Sequence, residues 1–386
     1  MIQPSPAGKR IVFLDSLRAI AVLLVLWGHI AIVGINEPAT VGLWVPDVTT
    51  WAFGPPVENG IIATWASLNL GLNVGGIGVS LFFIISGFVI LRTIDRTRPT
   101  PFIVQRFFRI IPTCFFCVVL VASATYAYCL AKGLNQPNTL QSVLTSTFAA
   151  NYFNSSFSTM PVLWTLEIEM IFYIAMAVSA SIFKKLGYKE LIFMSLLCLA
   201  LVSAYSFPTQ DAKSKPDILR HFSAIFIHVS YMMIGAIIYR AYEDGTKLRG
   251  WAITLVSIAI YVIAYKIYWK ATQTYIGSNL PSSATALIIF SAGMFSGMHS
   301  KAFSPLRWIA KISYPLYLLH VPLAWGFFYT LASLGLGMYI SAILATSAVI
   351  LLAWGTHYVI ERPSQQAGKR ISSFFNPKTV LRTGDV

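Results

Sequence analysis

The sequence predicts an all-α fold: a polytopic transmembrane helical bundle of about ten spans with both termini in the cytoplasm. Three observations carry that expectation. The chain is 56% hydrophobic and only 11% charged, with a mean hydropathy of +0.68, whereas a soluble domain needs about 25% charged residues to cover its surface. Apolar runs recur near the ~20 residues that a helix needs to cross the hydrocarbon core. The 28 Lys and Arg fall mainly in alternate connections between those runs. Disorder and a disulfide scaffold are excluded by the same numbers, since four Cys in 386 residues is sparse.

Taken in order, the expected spans are 11–34, 71–92, 110–131, 165–183, 190–207, 220–240, 250–268, 282–298, 308–330 and 336–360, the fifth and eighth being the shortest. The leading MIQPSPAGKR is too brief and polar for a cleavable signal, and the run after it is full length, so that run is read as a retained helix. The expected organisation is a cytoplasmic segment 1–10, a membrane domain 11–360 and a cytoplasmic tail 361–386. No coiled-coil, collagen or solenoid period interrupts it.

Basic residues test the topology. With the N-terminus inside, 22 of the 28 lie on the cytoplasmic side and six outside, which follows the positive-inside rule and favours an even number of spans. The net charge of +14 is then mostly an orientation signal, and nucleic acid is not expected as a partner. Membrane lipid is, with Arg92, Arg96 and Arg98 placed to meet anionic headgroups.

Two outer connections are long. Residues 35–70 carry Glu37, Asp47 and Glu58 with Trp44, Trp51 and Trp65; residues 133–163 carry Asn135, Gln136, Asn138, Gln141, Asn151 and Asn154. Aromatic faces beside carboxylates and amides suit a carbohydrate. The same residues also suit an interfacial aromatic belt with polar loops.

Ionisable residues inside a membrane are costly and default to functional candidates. In the first span, Arg18 and His29 are eleven residues apart, so at about 100° and 1.5 Å per residue they share a face and sit roughly 16 Å apart. A snorkelling Arg and a packing His explain either residue alone; an inward cation with a titratable ring above it points to an enzyme or a proton-coupled carrier. In the fourth span, Glu167 and Glu169 are about 160° apart and cannot share a face, while Tyr173 lies one turn beyond Glu169. A buried Glu there could orient an imidazole or serve as a structural hydrogen-bonded carboxyl.

Between the second and third spans, Arg106 and Arg109 lie three residues apart on one helical face. Such a guanidinium pair suits bidentate phosphate contacts, as on coenzyme A, or lipid headgroups. The ninth span contains Tyr314, Pro315, Tyr317, His320 and Pro322, whose prolines are expected to break the helix where a cavity is lined. His320 is open to substrate contact, contact with the Arg–His pair, or packing. His228, His299 and His357 read as structural. Cys114 and Cys117 have no second pair nearby, so no metal is expected. No Walker loop, Rossmann glycine pattern, G-x-S-x-G elbow or H-E-x-x-H occurs.

The segments LDSLRAIAVLLVLWGHI (14–30), GVSLFFIISGFVI (78–90), RFFRIIP (106–112), LWTLEIEMIFY (163–173), ISYPLYLLHVP (312–322) and IERP (360–363) together resemble the acyltransferase 3 family of bacterial membrane acyltransferases, across nearly the whole chain. The resemblance implies a ten-helix domain of the bacterial inner membrane. Such a domain moves an acyl group, usually acetyl from acetyl-CoA, onto a hydroxyl of a glycan or lipid-linked sugar. It also implies that Arg18 and His29 are central to catalysis, that Arg106 and Arg109 hold the acyl-CoA, and that Glu169 matches the Glu of a W-S-L-x-V-E-x-x-F-Y stretch.

On this reading Arg18, His29 and Glu169 are catalytic, and Arg106 and Arg109 with Arg18 bind acetyl-CoA. Trp164, Tyr173, His320 and Asn151 contact the acceptor. His29 serves as general base or as acyl carrier, and a homo-oligomer is compatible. The chain departs from the pattern at Ser16, where many members have Gly, and at Met170, where many have a second Glu; Glu167 lies outside it. Some members carry a C-terminal SGNH-type domain. With Val386 as the last residue, the membrane domain is expected to complete transfer itself. The rival expectation is a proton-coupled transporter or flippase using the same Arg, His and Glu.

Overall fold

The computed structural model describes residues 11–48, 72–150, 157–183, 185–206, 217–245, 247–273, 277–296 and 304–375; Trp51, Glu58, Trp65, Asn151, Asn154 and His299 lie outside them. Every regular element among the described residues is a helix. Helix α1 spans Val12–Trp27, continues as π-helix through Gly28–Val33 and ends at Asn36. Helix α2, Val74–Ile94, starts where the Asn73 side chain accepts from the Gly76 N–H at 2.6 Å, satisfying one of the orphan donors of its first turn. Helix α3, Pro99–Lys132, opens on a proline and closes on Gly133 at φ 66°, the residue types that suit those two ends.

A short α4, Leu140–Thr147, is held by a Thr139–Ser142 capping box. Then come α5 (Leu163–Phe183), α6 (Tyr188–Ser206), α7 (Asp217–Glu243), α8 (Leu248–Thr272) and α9 (Leu280–Phe295). Helices α10 (Ser304–Leu319) and α11 (Pro322–Ser333) form a bent pair. Helix α12 (Met338–Thr356) passes through a π turn, His357–Glu361, into α13 (Arg362–Phe374).

Among the described residues, eight helices are long and apolar enough to cross a membrane, or nine when α10 and α11 count as one span. All ten expected segments contain a helix. However, α9 has 16 residues and so reaches about 24 Å, short of the ~30 Å core. After residue 360 the chain stays helical and packs on α3: Gln105 donates to Ser372 at 2.9 Å, and Ser364 donates to the Phe108 carbonyl.

The centre of the bundle is α2, packed on α1, α7, α9 and α5. Lipid gives apolar helices no hydrophobic reason to associate, so close backbone packing takes over, and small residues allow it. A Cβ on Gly78 would lie 2.6 Å from the Ala21 oxygen of α1, and one on Gly235 of α7 would lie 2.2 Å from the Ile84 oxygen of α2. Phe88 adds aromatic contacts to Phe13 and Phe290, with centroids at 6.2 and 5.8 Å. At one end, Arg240 grips Asp95 bidentately at 2.9 and 3.0 Å. Burial pushes the Asp95 carboxyl up against the opposing pull of Arg240.

The bend between α10 and α11 is 74° and falls at His320 and Val321, just before Pro322. Pro322 has no N–H to return to the preceding turn and its ring clashes with it. Pro315, expected to break the helix as well, stays inside α10. It removes a single ladder bond, and α10 is held by packing against α1 and α12.

Candidate active site

Arg18 shares a cavity with α10, and His29 meets His320 at the bend that follows α10. Arg18 opens into a cavity of about 90 Å³, together with Arg106 and Arg109 of α3, Ser86 of α2, Glu169 and Tyr173 of α5, and Ser313, Tyr314 and Tyr317 of α10. Three guanidinium groups from two helices thus converge on one chamber whose remaining wall is largely apolar. Arg18 is 3.7 Å from Asp15 and within electrostatic reach of Arg109 and Arg106. Arg109 is balanced by Glu169 and Glu361.

Arg106 is set with unusual care. Its guanidinium lies 5.3 Å from the Phe102 ring centroid and 5.5 Å from that of Tyr173, and Nη2 donates to Thr93 at 3.2 Å. Its Nε is buried without a hydrogen-bond partner among the described residues. A buried donor left open beside two further cations fits an incoming anion such as a phosphate.

Glu169 takes a hydrogen bond from Ser86 at 2.9 Å and another from Tyr173. Among the described residues its contacts lie with these groups and the arginines, not with His29. Glu167, on the opposite side of α5, is 1% exposed and faces His221 at 3.2 Å. The two carboxylates therefore serve separate surroundings, as their spacing requires.

His29 lies beyond the chamber. Its Nδ1 is 3.0 Å from the Val25 carbonyl and 3.1 Å from Nε2 of His320, while Trp325 donates to the His29 carbonyl at 2.9 Å. His320 Nδ1 is 2.6 Å from the Tyr317 carbonyl. Tyr317 joins the two regions: its ring lines the chamber, its hydroxyl meets Thr165 at 2.8 Å, and its carbonyl holds His320. Outside this pair, Trp44 packs on Trp325 at 6.4 Å and donates to the Ser158 carbonyl at 2.8 Å.

Of the expected acceptor contacts, Tyr173 lines the chamber and His320 meets His29. Trp164 packs between Phe83 and His228 at 6.2 and 5.3 Å and covers Gly277. Asn151 lies outside the described residues. Sequence reasoning did not single out Ser86, Thr93, Trp325 or the role of Glu361, which receives both His357 at 2.6 Å and Gln365 at 2.9 Å. The i,i+4 spacing of His357, Glu361 and Gln365 was the readable signal. No group of three or more His, Cys, Asp or Glu suited to a metal occurs among the described residues.

Residues 11–358 match the model of a protein family described as an acyltransferase domain. Over 197 residues the chain is 30% identical to "Exopolysaccharide production protein ExoZ" of Rhizobium meliloti (strain 1021), covering 46% of this chain and 60% of that relative. The match thus spans less than two thirds of that protein's length. Over 316 residues it is 26% identical to "Nodulation protein 10" of Rhizobium leguminosarum bv. viciae, covering 75% of this chain and 82% of the relative. No solved structure matches.

Proposed function

Since the chain belongs to the acyltransferase 3 family of integral membrane acyltransferases, we propose that it transfers an acyl group, specifically acetyl, from acyl-CoA to a glycan hydroxyl in the bacterial inner membrane. The observation that carries the donor is the chamber in which Arg18, Arg106 and Arg109 converge beside the His29 region. Coenzyme A presents phosphates at one end and a thioester on a thin arm at the other. The arginines suit the phosphates, and the roughly 16 Å helical offset between Arg18 and His29 suits the arm. The glycan acceptor draws its support from the relative whose name refers to exopolysaccharide production and from Trp44 near the His29 pair.

In this mechanism the arginines bind and orient the donor, and Glu169 moderates their charge. His29 takes the proton of the attacking hydroxyl, a contribution of roughly 10²–10⁴ in rate. Carriage of the acyl group on His29 is the other route. The test incubates the purified full chain with labelled acetyl-CoA and surface polysaccharide. Thioester consumption with label in the glycan is the expected result, lost in His29→Ala protein that remains folded. A transporter would consume no thioester, and that outcome would overturn the proposal.

A further inference from the structure

We propose that His320 is a positioning residue for His29: it accepts a hydrogen bond from His29 Nδ1, so that His29 presents Nε2 as its basic nitrogen. The chemistry rests on the acyl-transfer reading above, whereas the proton placement rests on geometry. A carbonyl oxygen only accepts, so His320 Nδ1, 2.6 Å from the Tyr317 oxygen, carries a proton. In a neutral ring its Nε2 is then a lone pair. That lone pair faces His29 Nδ1 at 3.1 Å, which makes Nδ1 of His29 the donor.

The Val25 carbonyl, 3.0 Å from the same nitrogen, imposes the same requirement. A proton on His29 Nε2 alone would leave a bare Nδ1 against two acceptors at contact distance. One proton on each Nδ1 serves all three contacts, the His29 N–H being shared between the Val25 oxygen and His320 Nε2. Among the described residues, Nε2 of His29 then has no hydrogen-bond partner. His320 is 0% exposed and stands behind His29 and Tyr317.

In the transfer step, the acceptor hydroxyl oxygen attacks the thioester carbonyl carbon and its proton passes to His29 Nε2. The C–S bond then breaks and the departing thiolate takes that proton, leaving an oxygen ester and free coenzyme A thiol. While His29 is protonated, its Nδ1–H bond to His320 is charge-assisted and strengthens. A carboxylate in the same place would be a permanent charge in a medium that penalises charge. A neutral imidazole supports the cation only while the cation exists.

The test compares His320→Gln with His320→Leu in the full chain in lipid nanodiscs. A glutamine amide oxygen can accept from His29 Nδ1; a leucine cannot. The expected result is a kcat loss of about 100-fold or more for Leu, with KM for acyl-CoA within about twofold. Gln should keep activity within about tenfold of the parent. Equal losses in both variants, together with reduced thermal stability, would overturn the proposal in favour of packing. A raised acceptor KM at unchanged kcat would overturn it in favour of substrate contact. Nitrogen-15 histidine spectra of the parent protein give a second arm, with His29 and His320 both protonated on Nδ1. Protonation of neutral His29 on Nε2 would overturn the proposal. This arm needs no turnover, so it decides the proton placement even if the parent protein consumes no thioester, an outcome that would defeat the functional reading alone.

Discussion

Gly87 of α2 lies so close to the Met232 carbonyl of α7 that a Cβ built on it would sit 1.9 Å from the oxygen. Nothing flexible is there to yield, because the obstacle is backbone. Gly87→Ala is therefore expected to separate the two helices and destabilise the bundle by about 1–3 kcal/mol. Thermal unfolding in detergent checks this, with Gly355→Ala as the control. A Cβ at Gly355 meets nothing within 4 Å, and helix propensity there predicts a gain of about 0.5–1 kcal/mol.

Removing the guanidinium pair should weaken donor binding. Each charge-assisted hydrogen bond contributes about 1.5–3 kcal/mol, so Arg106→Ala combined with Arg109→Ala is expected to raise the Kd for acetyl-CoA by about 100-fold or more. Arg106→Lys should not restore it, because an ammonium lacks the planar fork. Equilibrium binding of labelled donor to the purified protein is the measurement, and an unchanged Kd would return both residues to a lipid-contact role.

The two carboxylates of α5 should part company. Glu167 is buried against His221, away from the chamber, so Glu167→Gln is expected to cost about 1–3 kcal/mol of stability with KM for acyl-CoA unchanged. Glu169 sits among the arginines, so Glu169→Gln should alter kcat/KM by about tenfold or more. Steady-state kinetics beside melting curves separates the two cases; identical profiles would contradict their placement.

Tyr317 acts on His320 through its main chain. Tyr317→Phe deletes the hydroxyl that meets Thr165 but keeps the carbonyl that holds His320. A stability loss near 1 kcal/mol is expected, with kcat reduced by less than about fivefold. A collapse of kcat would assign the hydroxyl itself to the reaction.

Local periodicity made much of this legible. The ten apolar runs each contain a helix, Arg18 turns toward α10 and His29 toward the bend that follows it, and Glu167 and Glu169 diverge as a two-residue spacing demands. Contacts between distant segments were not legible. His29 and His320 are 291 positions apart; their meeting was one of three readings open for His320, and no period in either segment selects it. The same holds for Ser86 with Glu169, which depends on how α2 packs against α5. The bend was expected in the right span, but its position depended on which proline lacked compensating packing, and packing is a property of neighbours.

The 74° elbow leaves His29 gripped from two directions. The bend itself holds the imidazole through His320, and the arm after it holds the peptide carbonyl through Trp325. On a straight helix His320 and Trp325, five residues apart, would point about 140° away from each other. The elbow works as a calliper: its angle sets where the ring stands relative to its own backbone. A substitution that opened or closed α11 would therefore register first as a misaligned imidazole, well before the bundle came apart.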